Sequence, residues 1–112
     1  MEFNRWEILE ADVPFEDSDK SKKRPVLILS PKEFYVLSLK MTSHEPRYKR
    51  LEGEFEVMKW KEAGLAKPTV IQCSKQLKLK KEMFTGKRFG RLNMTDIIQL
   101  REMLKYMHIS MD

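Results

Sequence analysis

Four residues carry the side-chain types of a reactive centre: the guanidinium of Arg24, the hydroxyls of Thr42 and Ser43, and the imidazole of His44. A guanidinium holds an oxyanion bidentately and stays charged at any accessible pH. Hydroxyls can donate to an oxygen on which negative charge develops. An imidazole with its ordinary pKa of about 6.5 carries protons at neutral pH. Together these groups suit chemistry at a phosphate. Each also has an ordinary reading: Arg24 as a strand-edge arginine in a surface pair, Thr42 and Ser43 as turn hydroxyls, His44 as an exposed loop residue. The order along the chain favours the reactive reading for Arg24 and Thr42, with Ser43 in support, while His44 reads first as a loop residue.

The stretch from Lys20 to Arg47 reads as one hairpin-like unit. A basic cluster leads through Arg24-Pro25 into the apolar run Val26 to Leu29. The chain turns at Ser30-Pro31 and returns from Phe34 to Met41 into the tip Thr42-Ser43-His44, which Pro46 closes. In an antiparallel pair the start of one strand lies beside the end of its neighbour, so Arg24 and Thr42 are expected side by side. Four apolar residues in a row predict a strand buried on both faces, and Pro25 fits its first position or an edge. Along the returning strand Phe34, Val36 and Ser38 share one face.

Elements on either side must hold this unit in place. Trp6 to Val13 predicts a first strand ended by Pro14, followed by a charged loop from Phe15 to Lys23. Glu54 to Val57 alternates as a short half-exposed strand, and Lys59 to Gly64 reads as one helical turn capped by Gly64. Thr69 to Cys73 is a β-branched strand, Lys75 to Lys81 an amphipathic one with a basic outer face, and Gly86 to Leu92 a glycine-hinged basic one. Asn93 caps a terminal helix with Asp96 in its first turn and a core stripe of Ile97, Leu100, Leu104 and Met107. Met94, Met103 and Met107 read as packing residues, as do Trp6 and Trp60, although either tryptophan could instead offer a stacking surface. Five or six short strands and one late helix predict a mainly β protein with α (α+β), a small barrel carrying the helix on it.

Composition limits what such a barrel can do. A length of 112 residues suits one domain, 1–112, and 41% hydrophobic residues can fill its core. Twenty-two Lys and Arg against 17 Asp and Glu give a net charge of +5, which favours an anionic partner such as RNA. The candidate contacts are Lys20, Lys22, Lys23, Arg47, Lys75, Lys78, Lys80, Lys87 and Arg88, with Tyr48 beside Arg47 as an aromatic in the basic run. The competing reading of that run is a solvated connector. Cys73 stands alone, so it forms no intramolecular disulfide and no cysteine zinc site, and it reads as a core residue. His44 and His108 lack metal-ligand spacing, and His108 suits a helix C-terminus. No cofactor or metal is expected. The acidic N-terminus lacks a signal-peptide pattern, nothing approaches the ~20 apolar residues of a membrane span, and a cytoplasmic location is expected.

Read together, Asp12-Val13-Pro14-Phe15, the charged loop, Lys23-Arg24-Pro25-Val26-Leu27-Ile28-Leu29-Ser30 and Met41-Thr42-Ser43 resemble the PemK/MazF family of bacterial toxin–antitoxin toxins. Val70-Ile71-Gln72-Cys73 and Lys87-Arg88-Phe89-Gly90-Arg91-Leu92 follow in the family's order, so the resemblance spans about Trp6 to Met107. It implies an SH3-like barrel with a C-terminal helix, a homodimer, and a metal-independent endoribonuclease that cuts single-stranded RNA at a short sequence under a cognate antitoxin. Arg24 matches the family's catalytic arginine and Thr42 its hydroxyl residue, with Ser43 and His44 in the same tip. The resemblance also implies attack by the RNA's own 2′-hydroxyl, giving a 2′,3′-cyclic phosphate and a 5′-hydroxyl. One branch of the family places an arginine and an aspartate where Gln72 and Ser74 stand here, and Trp6 occupies a position where glycine is usual. Two other functions compete: a catalytically weak RNA-binding or regulatory barrel, and a protein-binding toxin of CcdB type.

Overall fold

The computed structural model describes residues 1–43 and 52–112. Six strands form one antiparallel sheet in the order β4-β5-β3-β2-β1-β6. They are β1 (Glu7–Pro14), β2 (Ser21–Pro31), β3 (Val36–Ser43), β4 (Glu54–Glu56), β5 (Thr69–Leu79) and β6 (Phe84–Arg91). A helix, α1 (Met94–Tyr106), follows the last strand. The expected mainly β architecture with a terminal helix is what the chain adopts.

The alternation of side chains across the sheet builds two cores. Leu27 and Leu29 join Ile8, Leu39, Met41 and Ile71 on the face that α1 covers with Ile97, Leu100 and Leu104. Val26 and Ile28 face the other way, with Leu9, Ala11, Val13, Val36, Leu79 and Phe84. Val26 to Leu29 are all 0% exposed, as a strand buried on both faces must be. The edges β4 and β6 do not pair with each other. Instead the turn after β4 crosses to β6. A Cβ on Gly64, which has a φ of +89°, would lie 1.9 Å from the Phe89 carbonyl oxygen, so this closure requires glycine. The turn forms as expected over Lys59 to Gly64, with the Ala63 amide donating to the Lys59 carbonyl at 3.1 Å.

Helix α1 starts where Asn93 predicts, its side chain accepting the Thr95 amide at 2.9 Å. Asp96 does more than favour the helix dipole. Its carboxylate is buried and accepts the Met58 and Lys59 amides at 2.9 and 2.8 Å, tying the turn after β4 to the helix. Met103 and Met107 pack on the core as expected, but Met94 is 62% exposed because the first helical position points to solvent.

Three other expectations change. Phe34 belongs to the turn before β3 and is 81% exposed, so it shares no strand face with Val36. Thr69 to Cys73 and Lys75 to Leu79 are one strand, not two, and β6 starts at Phe84. In place of the expected break between Cys73 and Lys75 there is a bulge: β3–β5 pairing steps from Leu39↔Gln76 to Lys40↔Gln72, leaving Cys73, Ser74 and Lys75 unmatched on the β3 side.

Candidate active site

Register determines which polar side chains meet. Arg24 pairs with Ala11 on β1, and the β2–β3 ladder runs as far as Val26↔Lys40. Arg24 and Thr42 lie two residues beyond that last rung, one on each strand. They therefore project from the same face of the sheet, as the hairpin predicts. Among the described residues no hydrogen bond joins them, and the Thr42 hydroxyl donates to the Ser43 carbonyl at 3.4 Å. The face they share is the one bearing Val26 and Ile28, so the polar cluster forms where the second core runs out.

Arg24 is half-buried, and its Nε is a buried donor with no partner among the described residues. Leaving such a donor unsatisfied costs about 1–3 kcal/mol, more for a charged group. Gln72 on β5 holds a second open atom, the buried acceptor Oε1. Between them in the sheet stands Lys40, across from Val26 on one side and Gln72 on the other.

Lys40 opens onto a cleft of about 360 Å³ shared with Glu16, Ser74 and Lys75. Glu16, from the β1–β2 loop, accepts from Lys75 Nζ at 2.7 Å, which pins the loop to β5. This hydrogen bond and the charge of Lys75 lower the Glu16 carboxyl below its ordinary range. Burial lowers the Lys40 amine below the ordinary lysine range, and the neighbouring Arg24 charge adds to it. Lys75 pushes the same way while Glu16 opposes. The cleft is a concentration of positive charge with one carboxylate at its rim.

The remaining basic candidates divide. Lys22 lies two residues before Arg24 on β2 and shares its face, while Lys20 and Lys23 are exposed at the same end of the strand. Lys75 enters the cleft. Lys78 does not: it pairs with Leu37 on the helix-covered side of the sheet and lies over the Tyr35 ring. Lys80 is exposed beyond the end of β5. Lys87 lies over Phe89, and Arg88 donates to Glu7 at 2.6 Å and to the Glu2 carbonyl at 2.6 Å. Ser43 is exposed at the end of β3. His44 and Arg47, with the basic run to Arg50, fall outside the described residues. Lys40 went unnoticed in the sequence because Leu39-Lys40-Met41 reads as ordinary strand alternation. Its signal was a lone charge facing the same side as Val36 and Ser38.

A small curled antiparallel sheet with a terminal helix holds an arginine and lysines at one sheet mouth. The chain belongs to the PemK-like, MazF-like toxins of type II toxin–antitoxin systems, whose family model matches residues 4–108. Among solved structures it is similar to the Mycobacterium tuberculosis toxin MazF-mt6. That match has 21% identity and a TM-score of 0.63, covering 91% of this chain and 98% of that one. At this identity the likeness establishes the fold. No curated protein matches the sequence. Among the described residues no group of His, Cys, Asp and Glu has the geometry to hold a metal ion, and no helix is long and apolar enough to cross a membrane.

Proposed function

We propose that this protein is an endoribonuclease toxin that cuts single-stranded RNA by attack of the ribose 2′-hydroxyl on the adjacent phosphorus. The observation that carries the reading is the buried, unpartnered Nε of Arg24, turned to the face that Lys40 and Thr42 share. A phosphodiester supplies the acceptor this donor lacks, and a charge-assisted bond to it offsets the cost of the buried guanidinium.

In the reaction, Arg24 holds a non-bridging phosphoryl oxygen and neutralises the charge that grows there as the 2′-oxygen approaches. Thr42 turns its hydroxyl from the Ser43 carbonyl to a second phosphoryl oxygen, and a preorganised donor of this kind is worth about 3 kcal/mol at the transition state. Ser43 adds a hydroxyl at the exposed rim. The P–O5′ bond breaks, leaving a 2′,3′-cyclic phosphate and a 5′-hydroxyl. Lys22, Lys23 and Lys75 draw the RNA backbone to the cleft by charge. Family membership supports restraint by a cognate antitoxin and action as a homodimer in the cytoplasm. The reading is tested by incubating the purified protein with single-stranded RNA in EDTA. Defined fragments with cyclic phosphate ends are expected from the native chain and none from Arg24→Ala. Tight RNA binding without cutting would instead favour a regulatory RNA-binding barrel.

A further inference from the structure

Lys40 is the least expected residue in the cleft. It is the single charged residue of β3, and it occupies the face that buries Val36 and Ser38 further along the same strand. Its cross-strand neighbour Val26 is 0% exposed. A lysine here runs its stem over the edge of an apolar core and delivers its nitrogen into the cleft beyond.

Charged groups approach it from each packed element. Arg24 comes from β2, Lys75 from β5 and Glu16 from the β1–β2 loop. Glu54 stands further along the same row of paired residues, on β4 beyond Gln72. The nearest carboxylate, Glu16, is already engaged by Lys75. Lys40 is thus partly desolvated and lies among cations, and both conditions favour an uncharged amine. On either side of it the site leaves one atom open, a donor on Arg24 and an acceptor on Gln72. A phosphoryl oxygen suits the first and a ribose hydroxyl the second, which places the nitrogen of Lys40 between phosphate and sugar.

Resting on the ribonuclease reading above, we propose that Lys40 is the proton acceptor of the reaction, its neutral amine taking the proton of the ribose 2′-hydroxyl. The 2′-oxygen then forms its bond to phosphorus, the P–O5′ bond breaks, and the departing 5′-oxygen takes a proton from water. The Lys40 ammonium returns its extra proton to solvent, so no oxidant, metal or second substrate enters. Gln72 accepts a hydrogen bond from the same sugar and orients it toward the amine.

The test is the pH dependence of single-turnover cleavage in EDTA for the native chain, Lys40→Met, Lys40→Ala, Lys40→Arg and Arg24→Ala. Lys40→Met keeps most of the aliphatic stem, and thermal melts confirm that each variant folds. Loss of a general base is expected to slow cleavage by about 10²–10⁴-fold. In the native chain the rate rises with pH through a titration below the ordinary lysine range, and this limb disappears in Lys40→Met. Lys40→Arg keeps the charge but cannot release a proton in this range, so it should be as slow as Lys40→Met. Added methylamine should restore part of the rate in Lys40→Ala, in proportion to the free-base form. The proposal is overturned if Lys40→Arg cleaves at the native rate, since charge alone then suffices, or if Lys40→Met keeps the native pH limb. A native chain that cuts, with Arg24→Ala silent and Lys40 variants unaffected, overturns the Lys40 role alone. A folded native chain that cuts nothing overturns the ribonuclease reading and Lys40 with it.

Discussion

Replacing Asp96 by alanine tests how the far side of the barrel is held shut. The carboxylate is 1% exposed and accepts two backbone amides, from Met58 at 2.9 Å and Lys59 at 2.8 Å. A hydrogen bond to a charged group contributes roughly 1.5–3 kcal/mol, and an acid in the first helical turn about 0.3–1 kcal/mol more. The sum is reduced because Met58 is 64% exposed and its freed amide can turn to water. A net loss of about 3–5 kcal/mol follows from these contributions. With a shift of roughly 4 °C per kcal/mol for a chain of this size, Tm should fall by about 12–20 °C. Asp96→Asn retains one acceptor oxygen but turns an NH2 toward the second amide, so it should lose about half as much. Urea unfolding followed by circular dichroism measures both, at constant m if the native fold persists. Cutting per folded molecule should remain, because Asp96 holds the turn after β4 and does not border the cleft that Lys40 lines. A loss under about 1 kcal/mol for Asp96→Ala would refute the claim that this carboxylate fastens the closing turn.

Two further outcomes follow from charge and burial. Burial pushes the Cys73 thiol up to about 12, so the thiolate is absent at pH 8 and iodoacetamide should label Cys73 only after unfolding in urea. Rapid labelling of the native protein would show that the β5 bulge opens. Glu16→Gln removes the carboxylate that occupies Lys75, so RNA affinity should rise, by more at low salt than at high salt. Unchanged affinity in a filter-binding assay at both salt concentrations would separate this cleft from the RNA path.

What the sequence made legible were features with a strict local physical origin. The run Val26 to Leu29 needed two apolar environments and has them, and Asn93 could only cap a helix starting at the next residue. The antiparallel rule placed Arg24 and Thr42 on one face without knowledge of the barrel. Features set by non-local geometry were hidden. The break expected after Cys73 is absent because β3 pairs with β5 on both sides of the bulge, at Gln72 before it and Gln76 after it. Phe34 has strand-like chemistry, yet the turn closed by the Lys32 amide on the Tyr35 carbonyl places it in solvent. Arg88 resembled a phosphate contact until the register of β6 on β1 brought it to Glu7. Lys40 became a candidate only when the β5 bulge set Gln72 beside it, opposite the hairpin strand that carries Arg24, because this neighbour comes from a strand distant in sequence.

The central claim is that Arg24 holds a phosphate while the RNA's own 2′-hydroxyl displaces the chain. The most direct measurement is the end chemistry of RNA cut in EDTA, compared between the native chain and Arg24→Ala, with a substrate carrying a single 2′-deoxy sugar at the cut as control. The account predicts 2′,3′-cyclic phosphate and 5′-hydroxyl ends from the native chain. It also predicts no cutting of the 2′-deoxy substrate, and a loss of at least about 10²-fold in Arg24→Ala. Cutting of the 2′-deoxy substrate, or an Arg24→Ala variant as fast as the native chain, would contradict it.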